Sequence, residues 1–146
     1  MNQHLTLVTL GVADVSAARA FYVDGLGWDV VFENEGDVVF VQLGHGLLLA
    51  LFGAADLAAD AGLDPFVIGS GSLSLAKNVE SAEEVDAVIA TAVTAGGTVV
   101  KPAQPAVWGG YHGYFSDPDG VLWEVAHNPG LVVDGDGRVT MVAVEP

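Results

Sequence analysis

The sequence contains no cysteine, few basic residues and no long hydrophobic segment. Without cysteine there can be no disulfide bond, no thiolate metal site and no cysteine nucleophile, which fits a reducing compartment. The longest apolar run, Leu47 to Phe52, is far shorter than the roughly 20 residues that a membrane-spanning helix needs. The first residues also lack a basic flank followed by an apolar stretch. We therefore expect a cytoplasmic protein with neither a signal peptide nor a membrane span.

Positive charge is scarce. Only four side chains are basic (Arg19, Lys77, Lys101 and Arg138), against 19 acidic ones, and the formal net charge is -15. Such a chain is repelled by phosphate backbones and by anionic lipids, so neither nucleic acid nor a membrane surface is an expected partner. The excess of negative charge indicates either attraction of a cationic ligand or simply an acidic, soluble surface.

The order of predicted elements occurs twice along the 146 residues, a length that suits one compact domain. Hydrophobic patterning predicts a first module at about 5–53, with a strand, a helix that Asp14 or Ser16 caps, and three strands. A polar connection rich in alanine and glycine follows at 54–71. The second module, at about 72–128, has the same order, with a helix capped by Ser81 and Glu84. The sequence thus predicts one α+β domain with two βαβββ modules and a C-terminal hairpin at 130–143.

The predicted bounds are as follows. In the first module they are a strand at 5–12, a helix to about 24, and strands at 28–33, 38–43 and 47–52. In the second they are a strand at 72–79, a helix ending at 96–97, strands at 98–101, 111–116 and 121–127, a proline-containing loop at 102–110 and a turn at 117–120.

The two modules can be superposed by sequence, as expected for an internal repeat. Matching Val12 to Val79 shifts the numbering by 67 residues, and matching the turn glycines Gly46 and Gly120 shifts it by 74. The longer loop before residue 111 absorbs the difference.

Over residues 5–128 the chain resembles the glyoxalase, bleomycin-resistance and extradiol-dioxygenase superfamily, also called the vicinal-oxygen-chelate superfamily. The matching segments are Leu10-Gly11-Val12-Ala13-Asp14, Phe21-Tyr22 with Leu26-Gly27-Trp28, and Tyr114-Phe115-Ser116-Asp117-Pro118-Asp119-Gly120 followed by Glu124. The resemblance implies that the two modules form a half-barrel around a ligand cleft. It also implies a homodimer, for which Trp28 and the apolar C-terminal hairpin are suitable contacts.

Metal-dependent members of the superfamily hold a divalent ion with His and Glu side chains from the first and last strand of each module. Carried over by position, these sites are Leu7, Ala50, Ser74 and Glu124, and only Glu124 is a good ligand. A divalent ion needs about three or four protein donors. We therefore predict no metal cofactor, and a divalent metal is the alternative.

Among the four histidines, His4, His45, His112 and His127, His112 is the candidate for this site. It has the same strand parity as Tyr114, so both side chains are expected on one face of the sheet, whereas Glu124 and His127 have opposite parity. Otherwise His112 is a solvated or hydrogen-bonded strand histidine.

Tyr114 and Glu124 each admit two interpretations. Tyr114 either donates a proton or hydrogen bond to a ligand or is an amphipathic tyrosine lining the sheet. Glu124 is either a carboxylate of the cleft or an outward strand residue. These two are the candidate catalytic residues.

Aromatic residues and glycines are concentrated from Trp108 to Tyr114, a composition that suits flat or cationic ligands. Trp108 either stacks on a ligand or only closes the mouth of the half-barrel. The predicted ligand-binding residues are Leu7, Thr9, Ala50, Ser74, Trp108, Tyr111, His112, Tyr114 and Glu124.

Two classes of function remain open. The first is binding of a small organic ligand, cationic or aromatic, without the metal of the superfamily. The second is an enzyme, either a metal-dependent lyase, isomerase or dioxygenase, or a metal-free acid-base catalyst using Tyr114 and Glu124. An occluded structural or regulatory domain is a third possibility.

Overall fold

The structure, a computed structural model, describes residues 7–61, 73–136 and 139–141, with only the backbone of residues 61 and 139–141. The chain divides into two compact units, Met1–Gly69 and Ser70–Pro146. Each contains a four-stranded sheet and at least one helix, which confirms the α+β class and the two modules. That both modules form one domain stays a prediction. Among the described residues, no helix is long and apolar enough to cross a membrane.

The first unit follows the predicted order of strand, helix and three strands. Its elements are β1 (Leu7–Val12), α1 (Val15–Arg19), which continues as a π-helical segment (Ala20–Gly25), β2 (Val30–Asn34), β3 (Val38–Gly44), β4 (Leu47–Gly53) and α2 (Ala54–Ala61). The strand order is β1-β4-β3-β2, with β1 parallel to β4.

Asp14 rather than Ser16 begins the first helix. Its carboxylate accepts a hydrogen bond from the backbone N–H of Ala17 at 2.9 Å, which satisfies one of the free donors of the first turn. Phe21 and Tyr22 of the π-helical segment are fully buried and meet edge to face at 5.0 Å. This aromatic pair is the largest part of the first core.

The second unit repeats the arrangement. Its elements are β5 (Ser74–Asn78), α3 (Ala82–Thr94), β6 (Thr98–Pro105), β7 (Tyr111–Ser116), β8 (Leu122–His127), β9 (Leu131–Val133) and β10 (Val139–Met141). The sheet order is β5-β8-β7-β6, and β9 and β10 form the predicted hairpin, of which residues 137, 138, 142 and 143 lie outside the described part.

Two local signals were interpreted correctly in this unit. Ser81 caps α3 by accepting from the N–H of Glu84 at 3.2 Å, while the Glu84 carboxylate accepts from the N–H of Glu80. In the turn at 117–120, the buried Asp117 accepts from the N–H groups of Asp119 and Val121, and Gly120 has a φ of 86°. The Asp117 side chain holds the turn, which gives it a structural role.

Two predicted connections are wrong in part. Residues 54–61 of the expected connection form α2, because this alanine-rich segment favours a helix and places Leu57 against Gly11 of β1; residues 62–71 lie outside the described part. The strand predicted to end at 101 continues to Pro105 with two register shifts. Proline is tolerated there because β6 is the edge strand, where a missing N–H breaks no ladder bond on the outer side.

Strand pairing agrees with the repeat found in the sequence. In the first unit Thr9 of β1 lies beside Ala50 of β4, and in the second unit Ala76 of β5 lies beside Glu124 of β8. The shift of 67 residues for the first strand and of 74 for the last relates the two pairs. Glu124 therefore occupies the position in its sheet that Ala50 occupies in the other.

The glycine at 113 allows the second sheet to pack closely. A Cβ atom at Gly113 would lie 2.8 Å from Cδ1 of Ile89 on α3 and 2.9 Å from the backbone of Ala103.

This close packing predicts that a methyl group at position 113 destabilises the protein. Because the backbone of Ala103 cannot move away without disturbing the sheet, we expect Gly113→Ala to lower the free energy of unfolding by about 1–3 kcal/mol, measured by urea denaturation. The control is Gly44→Ala, also in a strand, where no atom lies within 4 Å. We expect it to change stability by less than about 0.5 kcal/mol, and equal losses for both variants would contradict this account.

Candidate functional site

Four side chains of the second unit share one face of its sheet. Tyr114 on β7 lies directly opposite Glu124 on β8 and opposite Lys101 on β6, and His112 lies two residues from Tyr114. Since side chains alternate between faces, these four point to the same side. The intervening residues Phe115 and Trp123 lie on the other side, with their rings stacked 6.2 Å apart. We call Lys101, His112, Tyr114 and Glu124 the polar cluster.

The imidazole of His112 lies between a carboxylate and an ammonium group. Its Nδ1 is 2.8 Å from Oε1 of Glu124, and its Nε2 is 2.9 Å from Nζ of Lys101. A carboxylate only accepts hydrogen bonds and an ammonium only donates them, so Nδ1–H donates to Glu124 and Nε2 accepts from Lys101. The network thus selects one neutral tautomer and fixes the plane of the ring. The His112 side chain is only 12% exposed, and that of Glu124 is 26% exposed.

Tyr114 completes the cluster. Its ring meets the ring of His112 edge-on at 5.6 Å, and Nζ of Lys101 lies 5.8 Å from its centroid. Burial, followed by the negative charge of the Glu124 carboxylate, raises the pKa of Tyr114. The hydroxyl therefore keeps its proton and remains a donor at neutral pH.

Trp108 lies beside the cluster on the loop between β6 and β7. Backbone hydrogen bonds from Ala106 to Gly110 and from Gly109 to Ala106 close this loop, and Gly109 has a φ of 87°. The indole lies over the α-carbon of Gly110, where any side chain would collide with it, and meets the ring of His112 at 5.6 Å. Trp108 and Tyr114 thus each place an aromatic ring beside His112.

The other predicted ligand-binding residues are placed differently. Ser74 on β5 lies on the same face of the sheet as Glu124 and is exposed. Tyr111 has the opposite parity to His112, and its hydroxyl donates to Asp86 of α3 at 3.2 Å, so the structure does not bring it to the cluster. Leu7, Thr9 and Ala50 belong to the first unit, where Thr9 and Ala50 lie side by side and Ala50 is buried.

The residues present do not fit a divalent ion. Leu7 and Ala50 have no donor atoms, and both nitrogens of His112 are already hydrogen-bonded. The ammonium of Lys101 next to that ring would also repel a metal cation. In the part of the chain that the structure describes, which omits His4, no group of three or more His, Asp or Glu side chains could hold an ion. That the protein uses no metal stays a prediction.

Lys101 is the member of the cluster that sequence reasoning missed. In the sequence, Lys101 is only one of four basic residues and lies at the predicted end of a strand. Its place opposite Tyr114 depends on the register shifts in β6 on both sides of it. Parity counted along the sequence cannot foresee such shifts, and only the scarcity of basic residues could have drawn attention to it.

The raised pKa of Tyr114 can be tested by removing the neighbouring charge. We expect Glu124→Gln to lower the pKa of Tyr114, because a neutral amide no longer disfavours the tyrosinate, although burial still keeps the pKa above its ordinary value. The chain has only three tyrosines, so their ring resonances can be followed separately by NMR at alkaline pH. Asp86→Asn is the matched control and should lower the pKa of Tyr111 instead. A Tyr114 pKa that does not respond to Glu124→Gln would contradict this influence of the Glu124 charge.

Comparisons with known proteins agree with this architecture. The chain is 38% identical to a glyoxalase-related enzyme from Fulvimarina pelagi, with a TM-score of 0.89 over 97% of this chain and 100% of that one. A superfamily member from Sphaerobacter thermophilus is 28% identical, with a TM-score of 0.64 over 88% and 99% of the two chains. A lactoylglutathione lyase from Agrobacterium tumefaciens is 24% identical, with a TM-score of 0.66 over 87% and 95%, which shows the shared fold.

No curated protein matches the sequence significantly. The family model of the Glyoxalase/Bleomycin resistance protein/Dioxygenase superfamily matches residues 4–125, most of the chain. This match and the relative from Fulvimarina pelagi confirm the resemblance found in the motifs. The chain belongs to the Glyoxalase/Bleomycin resistance protein/Dioxygenase superfamily.

Proposed function

We propose that this protein binds a small organic ligand on the face of the polar cluster without a divalent metal. The observation that carries the proposal is the hydrogen bonding of His112, whose two ring nitrogens are used by Glu124 and Lys101. Glu124 is the one residue at the family's metal-binding positions that could ligate a metal well, and it is instead part of a hydrogen-bond network with other side chains. Such a network recognises ligands by their polar groups.

Aromatic contacts support an aromatic ligand. The rings of Trp108 and Tyr114 both lie beside His112, and flat ligands bind well against such rings. The sequence-based expectation of a cationic ligand rests on the net charge of -15, which acts over the whole surface. A homodimer in the cytoplasm stays a prediction.

A calorimetric titration of chelator-treated protein with Zn²⁺, Ni²⁺, Mn²⁺ and Fe²⁺ tests the absence of a metal. We expect no binding in the micromolar range, because Glu124 offers one carboxylate and Lys101 places a positive charge nearby.

Two variants make this titration decisive. Lys101→Met removes the competing cation and frees Nε2 of His112, so any weak metal affinity should increase in this variant. Glu124→Gln should remove that gain. Micromolar binding to the unaltered protein that disappears in Glu124→Gln would contradict the proposal and favour a metal-dependent lyase, isomerase or dioxygenase.

A metal-free acid-base enzyme is the second candidate. The observation that favours it is the pairing of Glu124 with His112 at 2.8 Å beside the protonated hydroxyl of Tyr114. A carboxylate-oriented imidazole with a nearby proton donor suits proton transfer at a carbon next to a carbonyl group. The related protein from Fulvimarina pelagi is described as an enzyme, which also supports this candidate.

Proton exchange at the methyl group of pyruvate in heavy water tests this second candidate. If the cluster catalyses enolisation, the protein should accelerate the exchange, and Tyr114→Phe should reduce that acceleration by about a hundredfold because the enolate oxygen loses its donor. Tyr111→Phe is the control, since its hydroxyl contacts α3 and not the cluster. Exchange at the rate of buffer alone would reject the enzyme in this form.

A further inference from the structure

We propose that Lys101 is the ligand anchor of the polar cluster and that the ligand is a small planar carboxylate. This inference rests on the proposed function and adds the chemical class of the ligand. The position of Lys101 beside the His112 and Glu124 pair places an ammonium group on this face, although the residues present do not fit a metal ion.

The partner of Lys101 is unexpected for this composition. With 19 acidic side chains against four basic ones, a free surface lysine would meet a carboxylate more readily than an imidazole. Nζ of Lys101 instead lies 2.9 Å from Nε2 of His112. The nearby carboxylate of Glu124 instead accepts a hydrogen bond from Nδ1–H of His112, on the other side of the imidazole ring. The strands therefore hold the ammonium in place without neutralising it.

Donor capacity remains on this ammonium. A lysine side chain carries three N–H donors, and among the described residues Lys101 makes one hydrogen bond, to His112. The ring of Tyr114, 5.8 Å from Nζ, supplies a further favourable contact and limits the movement of the side chain. Two N–H groups are thus available to the two oxygens of a carboxylate, in a charge-assisted contact.

The local charges also favour an anion over a cation. The carboxylate of Glu124 accepts a hydrogen bond from Nδ1–H of His112, and the imidazole, neutral in the tautomer that the network selects, lies between this carboxylate and Lys101. Lys101 is then the positively charged end of the cluster, and the residue is half-buried. The overall charge of -15 opposes an anion at long range, but salt screens such fields beyond about 8 Å. A direct contact with Lys101 is screened far less.

The aromatic rings define the remainder of the ligand. Trp108 and Tyr114 each approach His112 to 5.6 Å, so a ligand whose carboxylate reaches Lys101 lies near two aromatic rings. A planar group can pack against these rings with little loss of conformational freedom. A planar carboxylate can contact both the ammonium group of Lys101 and the aromatic rings of Trp108 and Tyr114.

Three probes of equal shape separate the charge from the ring. Benzoate, benzamide and benzamidine carry negative, zero and positive charge on the same planar skeleton, and backbone amide shifts at 108–114 and 122–126 report their binding. We expect benzoate to bind about tenfold more tightly than benzamide, the effect of one charge-assisted hydrogen-bonded contact. Benzamidine should bind most weakly.

Variants of single lysines identify the anchor. Lys101→Met should reduce benzoate binding to the level of benzamide, while Lys101→Arg should keep most of the preference. Lys77→Met is the matched control: it removes the same charge from an exposed position on the other face of the same sheet. It should leave all three affinities unchanged.

The outcomes distinguish the two proposals. Tightest binding of benzamidine, or a benzoate preference that survives in Lys101→Met, would overturn the role of Lys101 while leaving ligand binding in place. If Trp108→Leu weakens all three probes equally, the aromatic part of the site is supported separately. If none of the probes shifts amides in these two segments, both this inference and the proposed ligand-binding function fail.

Discussion

The hydrogen bond between His112 and Glu124 is the contact on which the candidate site depends. It exists because β7 and β8 pair in a register that places Tyr114 opposite Glu124 and His112 two residues further along. A shift of β7 by one residue would turn His112 and Tyr114 away from Glu124, towards the face of Phe115 and Trp123. That face packs closely, since Gly113 leaves no room for a side chain between Ile89 and Ala103. The tight packing on one side therefore preserves the polar cluster on the other.

The two units show how one arrangement of strands supports different surfaces. Ala50 and Glu124 occupy equivalent positions in their sheets, beside Thr9 and Ala76 respectively. In the first unit this face is mainly apolar, with Phe40 opposite Ala50 and Phe32 beside Phe40. In the second unit it carries acid, base and hydroxyl groups. Backbone pairing sets the positions, and the side chains at those positions set the chemistry, so the shared fold does not decide the function.

The architecture could be predicted because its signals are local. Asp14, Ser81 and the turn at 117–120 mark boundaries by short-range hydrogen bonds, and the parity of His112 and Tyr114 follows from strand alternation alone. Helix α2 was missed because alanine and glycine are common in loops as well. Lys101 was missed for a different reason: its position depends on register shifts in an edge strand that contains prolines, and these arise from pairing with β7.

A lysine in this position changes what the site can recognise. A divalent ion can draw two neighbouring oxygens into its coordination sphere and compensate their charge strongly, whereas an ammonium is a single charge with directional donors. Its orientation must come from neighbours, and here His112 and the ring of Tyr114 supply it. His112 is in turn oriented by Glu124. In the proposed site, the carboxylate at the family position acts on a ligand only through His112 and Lys101, so a superfamily member can keep this residue while its role changes from direct ligand to support.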